Sequence, residues 1–191
     1  MWEYSQITDY GKIRDSTVLT IYYPIQELPR LTTQTLRKIL EEADELLKRK
    51  EYIQACEKYY KVMEEVIKKL TELYKEKSRL LTNFINYVRK RGNWNTFILQ
   101  RAAEELRRIL NEELGGGIGD KIYEAWEAAL RLHRDCFHEQ ILGDTVIKEK
   151  RDIITETFNL IARELEKLDI HYIKLEEDST GFETPLNSAH T

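Results

Sequence analysis

The residues best suited to chemistry gather in one stretch, RLHRDCFH at positions 131–138. Read as an α-helix at about 100° per residue, it sets Arg131 and His138 two turns apart on the same polar side, with Arg134 between them. Such a ridge suits metal-independent RNA cleavage. A histidine can exchange a proton with the attacking 2′-hydroxyl or the leaving 5′-oxygen, while an arginine stabilises charge on the phosphate. One ridge supplies few groups, so a site of this kind calls for two copies facing each other across a dimer. Arg131 and His138 are the candidate catalytic pair, with Arg134 and Glu139 as candidate binding residues beside them. The commoner outcome for these residue types is a solvated or partner-binding face, salt-bridged to Asp135, Glu127 or Glu139.

Other constellations carry less. His133 falls in the apolar register of the same helix, where an imidazole is usually neutral and satisfied by one hydrogen bond. His133 and His138 are five residues apart, which on an α-helix turns them about 140° from each other, unlike the i,i+4 pair of a zinc-binding helix. No metal ligands and no cofactor are expected on these grounds. Carboxylates abound, but no spacing singles out a catalytic pair, and no serine, histidine and aspartate set stands out. The run GGGIGD at 115–120 follows a helix and lacks the strand and the Lys-Ser/Thr ending of a phosphate loop, so it reads as an interhelical connection. Cys56 and Cys136 sit mid-helix in apolar registers without C-x-x-C spacing, and are expected as buried free thiols rather than a disulfide.

The elements that must position these residues are helices. Thr32 or Thr33 can cap a first helix carrying Leu36, Ile39, Leu40, Ala43, Leu46 and Leu47, ending near Lys50. Ile53, Cys56, Tyr60, Met63, Ile67, Leu70 and Tyr74 alternate steps of three and four, a sustained seam for packing on another helix. Leu81, Phe84, Ile85 and Val88 extend that seam, which predicts a long second helix to about Lys90. A third begins near Asn93 or Asn95. A fourth, capped by Asp120, carries Ile122, Trp126, Ala129, His133 and Cys136 on one face. A last one, capped by Asp144 or Thr145, runs to about Leu168.

The predicted fold class is therefore all-α: an antiparallel bundle of about five helices over residues 32–168. Residues 1–31 form an N-terminal extension in which STVLTIYY has the content of a short strand. Residues 169–191 form a C-terminal tail, and its HYIKL segment is one conceivable strand partner.

Composition bounds the rest. The 191 residues suit one domain, and 41% hydrophobic with 34% charged residues describe a globular chain with a heavily solvated face. A net charge of −4 does not favour a polyanion such as duplex DNA as partner. No apolar run approaches the roughly 20 residues needed to cross a bilayer, and the start lacks the pattern of a signal peptide, so a cytoplasmic protein without a membrane partner is expected.

Two stretches together carry a resemblance. ADELLKRKEYIQACEKYYKVMEEVIKK, from Ala43 to Lys69, and WEAALRLHRDCFHE, with Trp126, Ala129, Leu132, His133, Phe137, His138 and Glu139, resemble the archaeal PaREP family, which looks like a branch of the helical HEPN superfamily. The resemblance covers about residues 35–168. It implies a helical bundle, often dimeric, related to ribonucleases and to partners of nucleotidyltransferases. The catalytic signature of such proteins is an arginine, four to six residues, then a histidine; Arg131 and His138 fit its outer limit. Active members place Asn, Asp or His directly after the arginine, and this chain has Leu132, a departure that argues against cleavage. Residues Ala43 to Val62 also satisfy one tetratricopeptide-like helix pair, but no second copy follows at the repeat period.

The function expected is thus a HEPN-like module, a homodimer, non-catalytic or conditionally active, that binds RNA, a nucleotide or a protein partner without established catalysis. Two alternatives stand beside it: an endoribonuclease using Arg131 and His138, and a protein-interaction or antitoxin-like scaffold with an apolar patch drawn from Tyr59, Trp94 or Tyr123.

Overall fold

The computed structural model describes residues 31–180, and every element in it is helical. Helix α1 spans Thr33–Lys48, and Thr32 caps it by accepting a hydrogen bond from the Thr35 N–H through its hydroxyl. Its apolar stripe is buried at Leu36, Leu40, Ala43, Leu46 and Leu47. The stop is a Schellman turn: the Lys50 N–H donates to the Leu47 carbonyl and the Glu51 N–H to the Leu46 carbonyl, with Lys50 left-handed at φ 63°.

Helix α2, Tyr52–Leu73, is the hub of the bundle and touches every other helix. The predicted seam is buried from Cys56 to Tyr74, with Ile53 alone left exposed on the first turn. A second buried set, Ala55, Tyr59, Val62 and Val66, shows that α2 is covered on more than the one face. Several polar groups drawn into this interior are paired, although the buried Thr33 and Thr155 hydroxyls and the Trp94 N–H have no partner among the described residues. Tyr59 donates to Asp44 of α1 at 2.6 Å, and Arg151 of the last helix grips the same carboxylate in a two-pronged contact at 2.9 and 2.7 Å. Lys69 is ion-paired with Asp169, which also accepts the Thr33 N–H at 2.7 Å, so the start of α1 is tied to α2 and to the far part of the last helix.

The long second helix expected to reach Lys90 is two helices. A single 3-10 turn, Lys75–Lys77, intervenes, and Ser78 starts α3 (Arg79–Arg91) by accepting the Leu80 N–H through its hydroxyl. The continuing apolar rhythm at Leu81, Ile85 and Val88 hid a serine cap that resets the chain direction. Gly92 closes α3 at φ 80°, and Asn95 caps α4 (Thr96–Glu113) by accepting the Ile98 N–H.

Helix α5 begins at Ile118, earlier than expected, with left-handed Gly117 as its cap. Asp120 lies in its first turn and reaches back to Arg107 and Asn111 of α4 instead of capping. Here α4 and α5 cross closely: a Cβ on Gly119 would lie 1.9 Å from the Arg107 carbonyl oxygen. Helix α6, Asp144–Thr180, returns along α5, α2 and α1. Because α6 continues through residues 171–175, HYIKL is helix rather than a strand, and the described residues contain no strand. The STVLTIYY segment lies outside the described residues. One core cluster, centred on Trp126, Tyr59, Phe158 and Met63, draws on all six helices. No helix among the described residues is long and apolar enough to cross a membrane.

Candidate functional site

The stretch 131–138 does not continue α5 as an α-helix. Helix α5 ends at Arg131, and Leu132–His138 form a π-helix, closed by the Glu139 N–H donating to the Arg134 carbonyl five residues back at 3.0 Å. Gln140 then turns left-handed at φ 54°, and the Ile141 N–H reaches the Asp135 carbonyl at 2.8 Å. Nothing local demands this winding, since the segment holds neither glycine nor proline. Tertiary contacts hold it. Leu132, Asp135 and Cys136 are buried, the segment packs on α2, and Cys136 is joined to Cys56 of α2 as a disulfide. The expectation of two free thiols is therefore wrong: both cysteines were rightly placed inside, but the wider turn delivers Cys136 to the first turns of α2, next to Cys56.

The π-helix also changes which side chains meet. A five-residue step brings residues back to nearly the same side, so His133 and His138, expected about 140° apart, lie together with their Nε2 atoms 3.1 Å apart. His133 is half-buried, stacked on Tyr60 of α2 with ring centroids 4.1 Å apart, and flanked by Phe137. Its Nδ1 lies 3.0 Å from a Glu57 carboxylate oxygen. Both nitrogens of His133 are thus engaged, one more than the single contact expected, and a line of polar contacts runs from Glu57 through His133 to the exposed His138.

Arg131 and Arg134 turn elsewhere. Both are exposed, and both are drawn to the buried carboxylate of Asp135, Arg131 at 3.4 Å and Arg134 through two hydrogen bonds. The Arg134 hydrogen bond and the two arginine charges hold that carboxyl below the usual carboxylate range. The arginines also line a crevice of about 330 Å³ between α5 and α6 with Glu124, Glu127 and Lys150. His138 is not among its walls. Glu139 is exposed and ends the π-helix through its backbone. Of the four residues singled out from sequence, Arg131 and Arg134 converge on Asp135, His138 joins His133, and Glu139 belongs to neither group.

Sequence reasoning missed Glu57 as a member of the site. Its signal was present, one residue after Cys56, but only the pairing of Cys56 with Cys136 reveals that this turn of α2 faces the histidines. Among the described residues, no group of three or more His, Cys, Asp or Glu side chains is arranged to hold a metal ion. Of the aromatic residues expected to form an exposed patch, Tyr59 is fully buried; Trp94 and Tyr123 are half-buried, Tyr123 beneath Arg107 and bonded to Gln100. The exposed large apolar residues among those described are Ile53, Tyr87, Phe97, Ile141 and Leu160.

Comparison with known proteins gives two findings. The family described as the archaeal PaREP1/PaREP8 family matches residues 32–157. A crystal structure of a protein from Sulfolobus solfataricus is similar over 68% of this chain and 94% of that one, at 32% identity with a TM-score of 0.53. No curated protein matches.

Proposed function

This chain belongs to the archaeal PaREP1/PaREP8 family, and from that premise we propose that it is a HEPN-like binding module, working as a homodimer through the π-helical segment that follows α5 and not as a nuclease. π-Helical turns are rare, and they recur at functional sites because tertiary contacts must sustain an unfavourable winding. Here the segment presents two histidines beside an exposed Ile141.

One observation carries the distinction between binding and cleavage. In a nuclease of this type the arginine and histidine serve one phosphate. Arg131 instead contacts Asp135 while His138 contacts His133, so within one protomer the two groups have different partners. An arginine whose charge is offset by a carboxylate is a weaker anchor for a phosphate in flight. The test is incubation of the purified protein with mixed RNA in EDTA. No cleavage at any protein concentration is expected; cleavage that survives chelation and disappears in His138→Ala overturns the reading.

The endoribonuclease is kept as a second reading on one feature, the Glu57, His133 and His138 line, which ends on an exposed imidazole and suits proton transfer. It requires a partner protomer to supply the arginine. The same incubation decides between the two.

A further inference from the structure

The geometry points to a binding site for a divalent transition-metal ion, of the zinc or nickel class, with His133 and His138 as its protein ligands and Glu57 supporting them. This deepens the reading of the π-helical segment as the working surface and rests on it.

Three observations on the histidine pair converge. The first is spacing. Two imidazole nitrogens, each about 2.0–2.1 Å from one ion and separated by an angle between square and tetrahedral, stand about 2.9–3.4 Å apart. The Nε2 atoms are 3.1 Å apart. The second is direction. In a nose-to-nose hydrogen bond the ring centroids would exceed the nitrogen separation by two full ring radii, whereas 4.6 Å between centroids exceeds it by only 1.5 Å. The two rings are therefore angled to one another, with planes at 80°, an arrangement open to two ligands on one ion.

The third observation is the support. Glu57 engages Nδ1 of His133 at 3.0 Å. A carboxylate there favours the proton on Nδ1 and leaves Nε2, on the side of His138, as the atom with a lone pair to offer, the arrangement that commonly backs a metal-ligating histidine. Stacking of the His133 ring with Tyr60 and with Phe137 restrains the ring plane as well. His138 is exposed, so the remaining coordination positions face solvent and are open to water or to an anionic group of a partner. Two protein ligands with open positions describe a site of modest affinity that accepts a further ligand, not a closed structural centre.

The experiment is calorimetric titration of the full chain with zinc ion alone, repeated with nickel, on wild type, His138→Ala and Glu57→Gln. One ion per chain is expected. Affinity should fall beyond about 100-fold in His138→Ala and about 10-fold in Glu57→Gln, the latter being the usual effect of losing an outer carboxylate. Because His138 is exposed, its variant keeps the fold, which circular dichroism verifies. Absence of binding to wild type, or equal binding in wild type and His138→Ala, overturns the metal site. Such a failure leaves the RNA result in EDTA untouched. Cleavage in EDTA rejects the binding-module reading without altering the titration, so the two failures are told apart.

Discussion

Asp44 shows how much a single side chain can carry here. It receives Tyr59 from α2 and both prongs of Arg151 from α6, so one carboxylate joins three helices. Burial opposes its ionisation, but the hydrogen bonds from Arg151 and Tyr59 and the arginine charge outweigh it and hold its pKa below the ordinary value. A group depressed in the folded state contributes stability that is full above the ordinary carboxylate range and fades as pH falls through the lowered value. Asp44→Asn should lose about 1–2 kcal/mol at neutral pH, and the gap to wild type should narrow below about pH 4. Urea unfolding at pH 7 and pH 3 measures both; a gap independent of pH refutes the account. None of this was legible in the sequence, because Asp44 sits on the hydrophilic margin of α1 and its partners come from positions 59 and 151.

At the scale of elements, legibility tracked local physics. Thr32 and Asn95 announced their helices because a cap acts within three residues, and α2 announced itself through its seam. The break at Ser78 was masked by apolar residues that kept helical phase on both sides of it. The π-helix was invisible for a deeper reason: it is imposed by packing on α2 and by the bond to Cys56, and every angle inferred between Arg131, His133 and His138 assumed α-helical winding. Two positions test how far turn geometry limits these elements. Lys50 occupies a left-handed position that suits glycine, and Lys50→Gly should raise stability by up to about 1 kcal/mol. Gly119→Ala should lower it by about 2 kcal/mol or more, since the added Cβ meets the Arg107 backbone. Thermal melts of the two variants should shift in opposite directions; a neutral Gly119→Ala would show that α4 and α5 can part without penalty.

For the molecule as a whole, one core cluster runs through all six helices, so unfolding should be a single transition in which helix content and the environment of Trp126 are lost together. The disulfide sets how stable that unit is. Cys56 and Cys136 close a loop with a sequence separation of 80. On the loop-entropy account, such a cross-link stabilises by about 4.5 kcal/mol. Melting with and without a strong reductant should show a large drop in Tm on reduction, and an unchanged Tm would mean that the bond adds nothing to the fold. The expectation of free thiols followed the general rule for chains without secretory context, a rule with a known exception among hyperthermophilic archaea.

That same bond makes the molecule a closed ring with two arms. Helices α3, α4 and α5 and most of α2 lie inside the ring, while α1 and α6 lie outside it. Tension applied to the chain ends therefore travels through the cystine and bypasses the enclosed helices. At about 3.5 Å per extended residue, the oxidised chain stops short of the reduced one by about 280 Å. Under load the arms peel first, and the turn carrying Glu57 and the segment carrying both histidines stay clamped together at the neck of the ring.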